Sequence, residues 1–375
     1  MSGKIRVGVI YGGRSGEHDV SLATALSVIN AFDRAKYEIV PLYITRTGEW
    51  NTGAQIEAPV NTKEELMLKP AAGRAKQAAL PQIYLSGTGE DRAPAKTGSA
   101  SGLSLDVVFP LLHGTYGEDG TVQGLLEMVG IPYVGAGVLA SAVGMDKVAM
   151  KKIFAQEGLP QCLYRHFTRF QWEHNKDYYI MEIEVSLGYP CFVKPANLGS
   201  SVGISKAKNR AELLEAVATA LRFDRKVIVE EAVDAREIEV GVLGNEDPKA
   251  SVPGEIRPSS DFYDYKAKYI DGKSAIIIPA ELTLEQTDTL RNLAVRAFRA
   301  IDGSGLSRVD FFLRKADGAF LINEINTMPG FTPFSMYPLL WKQSGISYPE
   351  LIDELIRLAL ERYNDKQKIQ YGFEV

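Results

Sequence analysis

Thiols and imidazoles are scarce in this chain, whose 375 residues include two cysteines and four histidines. Cys162 and Cys191 form no Cys-x-x-Cys pair, which argues against a disulfide framework or a cysteine-built zinc site and fits a reducing cytoplasm. Long apolar runs are missing too. No stretch approaches the ~18 uninterrupted apolar residues of a membrane helix, and the opening MSGKIRVGVIYGG is a glycine-broken run, so neither export nor a membrane span is expected. Charge of one sign is also lacking: 42 basic against 47 acidic residues leave a formal charge of -5, and no global basic field recommends nucleic acid or anionic membrane. A local anion site stays open. What remains is ordinary globular material, 45% hydrophobic and 24% charged, long enough for two or three domains of roughly 100–200 residues.

Strand and helix signals alternate from the start. KIRVGVIYGG reads as a buried strand, SLATALSVINAF as a helix and YEIVPLYIT as the next strand, a βαβ opening. The pattern recurs in LDVVFPLLHGTYGEDGTVQGLLEMVGIPYVGAG, whose strand is expected to end at His113. Residues 61 to 104 hold a possible short helix and a Gly-, Ser-, Ala- and Pro-rich loop. Beyond residue 136, SAVGMDKVAMKKIFAQEG reads as helix. YPCFVKPANLGSSVGISKA follows as strand, glycine loop and strand, and Asn209 with Glu212 as a capping box. KVIVEEAV and REIEVGVLG are strands, RPSSDFYDYKAKYIDGKS a polar loop, and LEQTDTLRNLAVRAFRAI and YPELIDELIRLALERY helices around the hairpin of residues 308 to 330. There is no internal repeat at fixed period.

Four constellations carry chemistry. YGGRSGEHDVSLATA places glycines between strand and helix but lacks G-x-G-x-x-G spacing, which weakens a dinucleotide site; Glu17 and His18 serve either the helix dipole or a substrate amine. VKPANLGSSVG puts Lys194 before a Gly-Ser-Ser loop, an arrangement suited to a phosphate chain, with a plain strand-turn-strand as the alternative. Its match to the G-x-S-x-G nucleophile elbow fails because every histidine precedes the serine. Glu230, Glu231 and Glu237 sit near the junction of two strands, where carboxylates can take amino and hydroxyl groups of a nucleotide. In the hairpin, Asp310, Glu324 and Asn326 interrupt apolar strands. An odd number of residues around KADGA would set Asp310 across from Glu324, and an even number would part them. Facing carboxylates repel unless a cation intervenes, and oxygen ligands without His or Cys suit Mg²⁺ or Mn²⁺; a solvated hairpin face is the alternative. Arg308 points to the same side.

The ordered set GGRSGEHDVSL, HGTYGEDG, MDK, VKPANLGSSVG, EE, YDYKAKY, SRVDFF and NEINTMPGFTPFSM resembles the D-alanine:D-alanine ligases of the ATP-grasp superfamily, over nearly the whole chain. The resemblance implies an α/β and α+β ATP-grasp fold. Residues 1–135 would form a Rossmann-like parallel-sheet domain, 136–230 a small central α+β domain, and 231–375 a C-terminal α+β domain with the metal site and a mobile loop at 255–275. It also implies a cytoplasmic homodimer that joins two D-alanines through a D-alanyl phosphate. Lys147, Lys194 and Ser201 would contact ATP phosphates, and Glu230, Glu231, Val233 and Glu237 its adenine and ribose. Asp310, Glu324 and Asn326 would bind two Mg²⁺ or Mn²⁺ ions. Arg308 and the Gly330 N–H would face the oxyanion. Glu17, with His113 steering, would take the first D-alanine, and Lys268, Ser335 and the Met336 backbone the carboxylate of the second. Ser200 and Tyr269 would hydrogen-bond with Glu17 and close the loop. Retention of Tyr269 favours the dipeptide over D-alanyl-D-lactate or D-alanyl-D-serine. A dinucleotide-dependent oxidoreductase and a non-catalytic nucleotide-binding regulator are the readings from other classes.

Overall fold

The computed structural model describes residues 3–69, 83–85, 103–199, 202–257 and 275–370. Three larger sheets organise them, beside a two-stranded parallel pair of Ile83–Leu85 with Leu103–Leu105. In the first, Ile5–Gly12 lies between Tyr37–Ile44 and Val107–Pro110, parallel to both, and Trp50–Thr52 closes one edge antiparallel. Both neighbours are near-continuous apolar runs, as expected of parallel strands covered on both faces. Helix His18–Ala31 packs on this sheet. So does the last helix, Tyr348–Lys366, whose Leu351, Leu355 and Leu358 share a core with Val7, Val9 and Phe109.

The second sheet is antiparallel, with Lys226–Glu231 between Tyr164–Thr168 and Cys191–Pro195, and Ser205–Ala207 outside. The third is antiparallel around Ala235–Gly244, which pairs with Gly254–Arg257 on one side and with the hairpin strand Gly305–Arg314 on the other; Phe320–Asn326 completes the hairpin. Helix Leu284–Ala300 covers it, burying Leu290, Ala294, Ala297 and Phe298 against Val240, Val309 and Phe311. Its N-terminus carries a full capping box, Thr283 with Gln286.

Several local expectations change in the fold. The strand expected to reach His113 stops at Pro110, and His113 sits three residues on, in the turn that follows. The single helix expected over SAVGMDKVAMKKIFAQEG is two, Val138–Met145 and Lys147–Gln156, because Asp146 is extended and its carboxylate accepts the N–H groups of Val148 and Ala149 at 3.1 and 3.0 Å. Asn209 caps its helix as expected, but Glu212 turns to the Lys208 N–H at 2.8 Å. Helix Arg169–Ser186 was not anticipated. Phe170, Tyr178, Met181 and Val185 are exposed on it while Trp172, Ile180 and Ile183 are buried, so apolar residues fall on every side and blur the helical period.

Candidate active site

Carboxyl ends of parallel strands are where open α/β sheets bind ligands, and here they supply the first part of the site. After Ile5–Gly12 the chain turns through Gly12 and Gly13, both at positive φ that glycine adopts without cost, and delivers Glu17 to the start of its helix. Ser15 fixes that turn: its hydroxyl donates to the His113 carbonyl at 2.6 Å and accepts the Glu17 N–H at 3.2 Å. His18, by contrast, is buried with Nδ1 2.7 Å from the Gly13 carbonyl, a structural role rather than a substrate contact. His113 sits between Thr24, 3.0 Å from Nε2, and Glu118, 3.5 Å from Nδ1. Burial opposes its charge, but Glu118 and then Glu17 outweigh burial and hold the imidazole above its ordinary 6.5. Donor atoms of Glu17, His113 and Glu118 all lie within 4.8 Å of one another, a grouping fit for a cation, whether ammonium or metal.

The hairpin supplies the second part, by an unexpected route. Its last pair before the turn is Leu313 with Phe320, leaving the six residues 314–319 in the connection, an even number that would part Asp310 from Glu324. A β-bulge corrects this. Phe311 pairs with Ile322 and Asp310 with Glu324, so Asn323 is the extra residue, and beyond it Asp310, Glu324, Arg308 and Asn326 come to one face. Val309, Phe311 and Ile325 point the other way into the core. Arg308 holds Asp310 through two contacts of 2.7 Å and Glu239, from the neighbouring strand, at 2.9 Å. Burial alone would lower the guanidinium pKa, but Asp310 and Glu239 raise it well above the ordinary value, so the charge is permanent. Glu324 contacts the Lys147 ammonium at 3.1 Å.

One cavity of about 640 Å³ joins these parts: Glu17, His113 and Glu118 line one wall, and Lys147, Glu239, Arg308, Glu324 and Asn326 another. Gly199 closes one side, and Gly330, Ser335 and Met336 a further side. Ser335 is the N-cap of helix Met336–Gln343, whose free N–H groups suit a carboxylate. A Cβ on Gly330 would stand 3.2 Å from the Ser335 hydroxyl, a tight approach that glycine leaves clear.

A third cluster lies outside that lining. Glu230 is buried in the second sheet with one carboxylate oxygen against Lys194 and the other 2.7 Å from Lys151. Burial pushes its carboxyl up, yet the two ammonium groups outweigh burial and hold it at about 2. Glu231 accepts the Leu163 N–H at 2.8 Å, and Val233 and Glu237 are half-buried at the junction with the third sheet. Ser200, Ser201, Lys268 and Tyr269 lie outside the described residues, as does most of the loop at 255–275.

Three residues of these clusters received no role from the sequence. Glu239 is two positions from Glu237 on the same strand face, so the alternation that marked one marked both. Lys151 follows Lys147 by one helical turn, the spacing that brings two side chains to one face. Glu118 stands in the quoted HGTYGEDG, five residues after His113.

Comparison with known proteins bears on this geometry. The family model described as D-ala D-ala ligase N-terminus matches residues 6–136, and that described as D-ala D-ala ligase C-terminus matches residues 153–357. A D-alanine--D-alanine ligase of Bacillus cytotoxicus is 59% identical over 98% of this chain and 99% of the relative, and one of Bacillus licheniformis is 55% identical over 99% and 100%. Among solved structures, the D-alanine-D-alanine ligase from Coxiella burnetii has a TM-score of 0.77 at 33% identity, covering 97% of this chain and 96% of that one. The VanG D-Ala:D-Ser ligase from Enterococcus faecalis has 0.79 at 34%, covering 95% and 100%. The likeness extends to the multi-sheet ATP-grasp architecture.

Proposed function

The chain belongs to the D-ala D-ala ligase family, and from that premise we propose that its cavity joins two D-alanines to D-alanyl-D-alanine at the expense of ATP, for peptidoglycan precursor synthesis. One observation carries the reading. A single 640 Å³ cavity brings an ammonium-binding group, an arginine with permanent charge, Glu324 of the facing acid pair and a helix N-terminus to one space. These are the partners that a zwitterionic substrate, a developing oxyanion, a charged phosphoryl group and a second carboxylate each need.

Glu17, held by the Ser15 turn, takes the ammonium of the first D-alanine beside His113. The carboxylate oxygen of that first D-alanine attacks the γ-phosphorus of ATP, giving D-alanyl phosphate and ADP, with Lys147 and Lys194 on the phosphate oxygens. The amine of the second D-alanine, its carboxylate on Lys268, Ser335 and the Met336 N–H, loses a proton and attacks the acyl carbon. Arg308 and the Gly330 N–H face the oxyanion, and phosphate leaves with the electron pair of the C–O bond. Glu231, Val233 and Glu237 border the adenine and ribose; Glu230, expected beside them, acts on Lys194 instead, because its carboxylate is buried between Lys194 and Lys151. Ser200, Ser201 and Tyr269 keep the roles that the family implies.

Asp310, Glu324 and Asn326 would hold two Mg²⁺ or Mn²⁺ ions, which supply positive charge against the phosphoryl oxygens. The donor set fits: all are hard oxygens on one face. Among the described residues no helix is long and apolar enough to cross a membrane, which supports a cytoplasmic setting, and the family suggests a homodimer.

The test is phosphate release with Mg²⁺-ATP and D-alanine, with products identified. D-alanine-dependent release with dipeptide formed is expected, and no such release would overturn the assignment. D-serine and D-lactate arms determine the second substrate.

A further inference from the structure

Lys151 is a buried cation that the mechanism above does not use. At 1% exposure it is more buried than Lys147 or Lys194, both at 8%, and burying an ammonium is costly unless something opposes its charge. What opposes it is Glu230, with Oε1 2.7 Å from the Lys151 Nζ. The Tyr164 ring lies 5.8 Å from the same nitrogen, and the helix turn that carries Lys151 is pinned where the Gln161 amide donates to its carbonyl at 2.8 Å. Lys194 meets the other oxygen of Glu230. One carboxylate therefore lies between two ammonium groups, and the three charges sum to +1.

The consequence concerns Lys194. A carboxylate free to turn both oxygens onto a single lysine would cancel that lysine's charge and engage more of its three N–H donors. Lys151 prevents this by occupying one oxygen. We propose that Lys151 is a positioning residue for nucleotide binding: it confines Glu230 to one-sided contact with Lys194 and leaves the cluster a net positive charge for the triphosphate. This rests on the assignment of Lys194 to ATP phosphates made above.

The experiment measures direct binding of Mg²⁺-ATP and of adenosine to the full-length protein, without D-alanine, for wild type, Lys194→Met, Lys151→Met and Lys151→Met/Glu230→Gln. Lys151→Met is expected to weaken ATP about tenfold, one step on the affinity scale, while adenosine binding and the KM for D-alanine hold within about twofold. In the double variant the restraining and the cancelling charges are both gone, so ATP affinity recovers at least in part. A purely structural lysine would instead weaken ATP and adenosine alike, and the second substitution would add to the damage; either result overturns the proposal. Should Lys151→Met fail to fold, because Glu230 is left buried with one partner fewer, the double variant still decides: near-wild-type ATP binding supports the proposal, and a selective loss of ATP relative to adenosine sinks it. Failure of the underlying reading looks different. If Lys194→Met binds ATP as wild type does, the phosphate assignment itself is wrong. If Lys194→Met loses ATP and Lys151→Met does not, only the role of Lys151 falls.

Discussion

Two charge clusters stand close together in this molecule, built on opposite principles. Around Glu230 the structure is sealed, and two cations surround one acid. Around Arg308 it is open to the cavity through Arg308, Glu239 and Glu324, with Asp310 and Glu239 on Arg308 and Glu324 on Lys147. The sealed cluster is positive by one charge, and the open one gathers carboxylate oxygens on one strand face. Each suits a different ligand: a phosphate anion for the first, a metal cation for the second. Because a burial penalty falls on any charge left alone, the sealed cluster couples to stability, whereas the open one couples to chemistry.

Perturbing the two clusters should therefore give different signatures. The largest effect expected is on the open side: chelation of divalent ions abolishes D-alanine-dependent phosphate release, and Mg²⁺ or Mn²⁺ restores it, with thermal unfolding of the nucleotide-free protein little moved. Next, Arg308→Ala lowers kcat by roughly a hundred- to a thousandfold, the range for losing one oxyanion donor. Steady-state kinetics beside ATP titrations check it, and a loss confined to ATP binding would contradict the role given to Arg308. On the sealed side, Glu230→Ala leaves Lys151 and Lys194 facing each other and costs about 3 kcal/mol of stability, read from denaturant unfolding.

The pH dependences have opposite limbs. Glu230 is held at about 2 against an ordinary 4.5, so its contribution is complete above 4.5 and is lost as pH falls toward 2; Glu230→Gln removes this acid limb. His113 is raised above 6.5, so its contribution is complete below 6.5 and is lost as pH climbs through the folded-state value; His113→Gln flattens that limb. Unfolding free energies measured across pH for both variants test the pair. The smallest change lies away from both clusters. Asn209→Ala removes a cap whose carbonyl accepts the Glu212 N–H at 3.0 Å, costs about 1 kcal/mol and leaves kinetics alone.

Alternation and composition alone placed Arg308, Asp310, Glu324 and Asn326 on strands, and the helix spacing of Lys147 and Lys151 was there to be read. The strand-helix-strand opening was equally plain, because parallel strands must be apolar throughout. Those are local properties of residue type and period. What they cannot express is register. The turn by itself would have parted Asp310 from Glu324, and the bulge at Asn323 reunites them, a choice made by the pairing of two whole strands against a shared core. The partners of Glu230 are likewise a tertiary decision, since Lys151 comes from a helix and Lys194 from an adjacent strand, and only their convergence on one buried oxygen pair makes either matter. The sequence by itself thus determined which side chains carry charge and which faces are apolar. Tertiary structure alone decided which charges meet, because the energy of a buried ion depends on its neighbours within a few ångströms and not on its place along the chain.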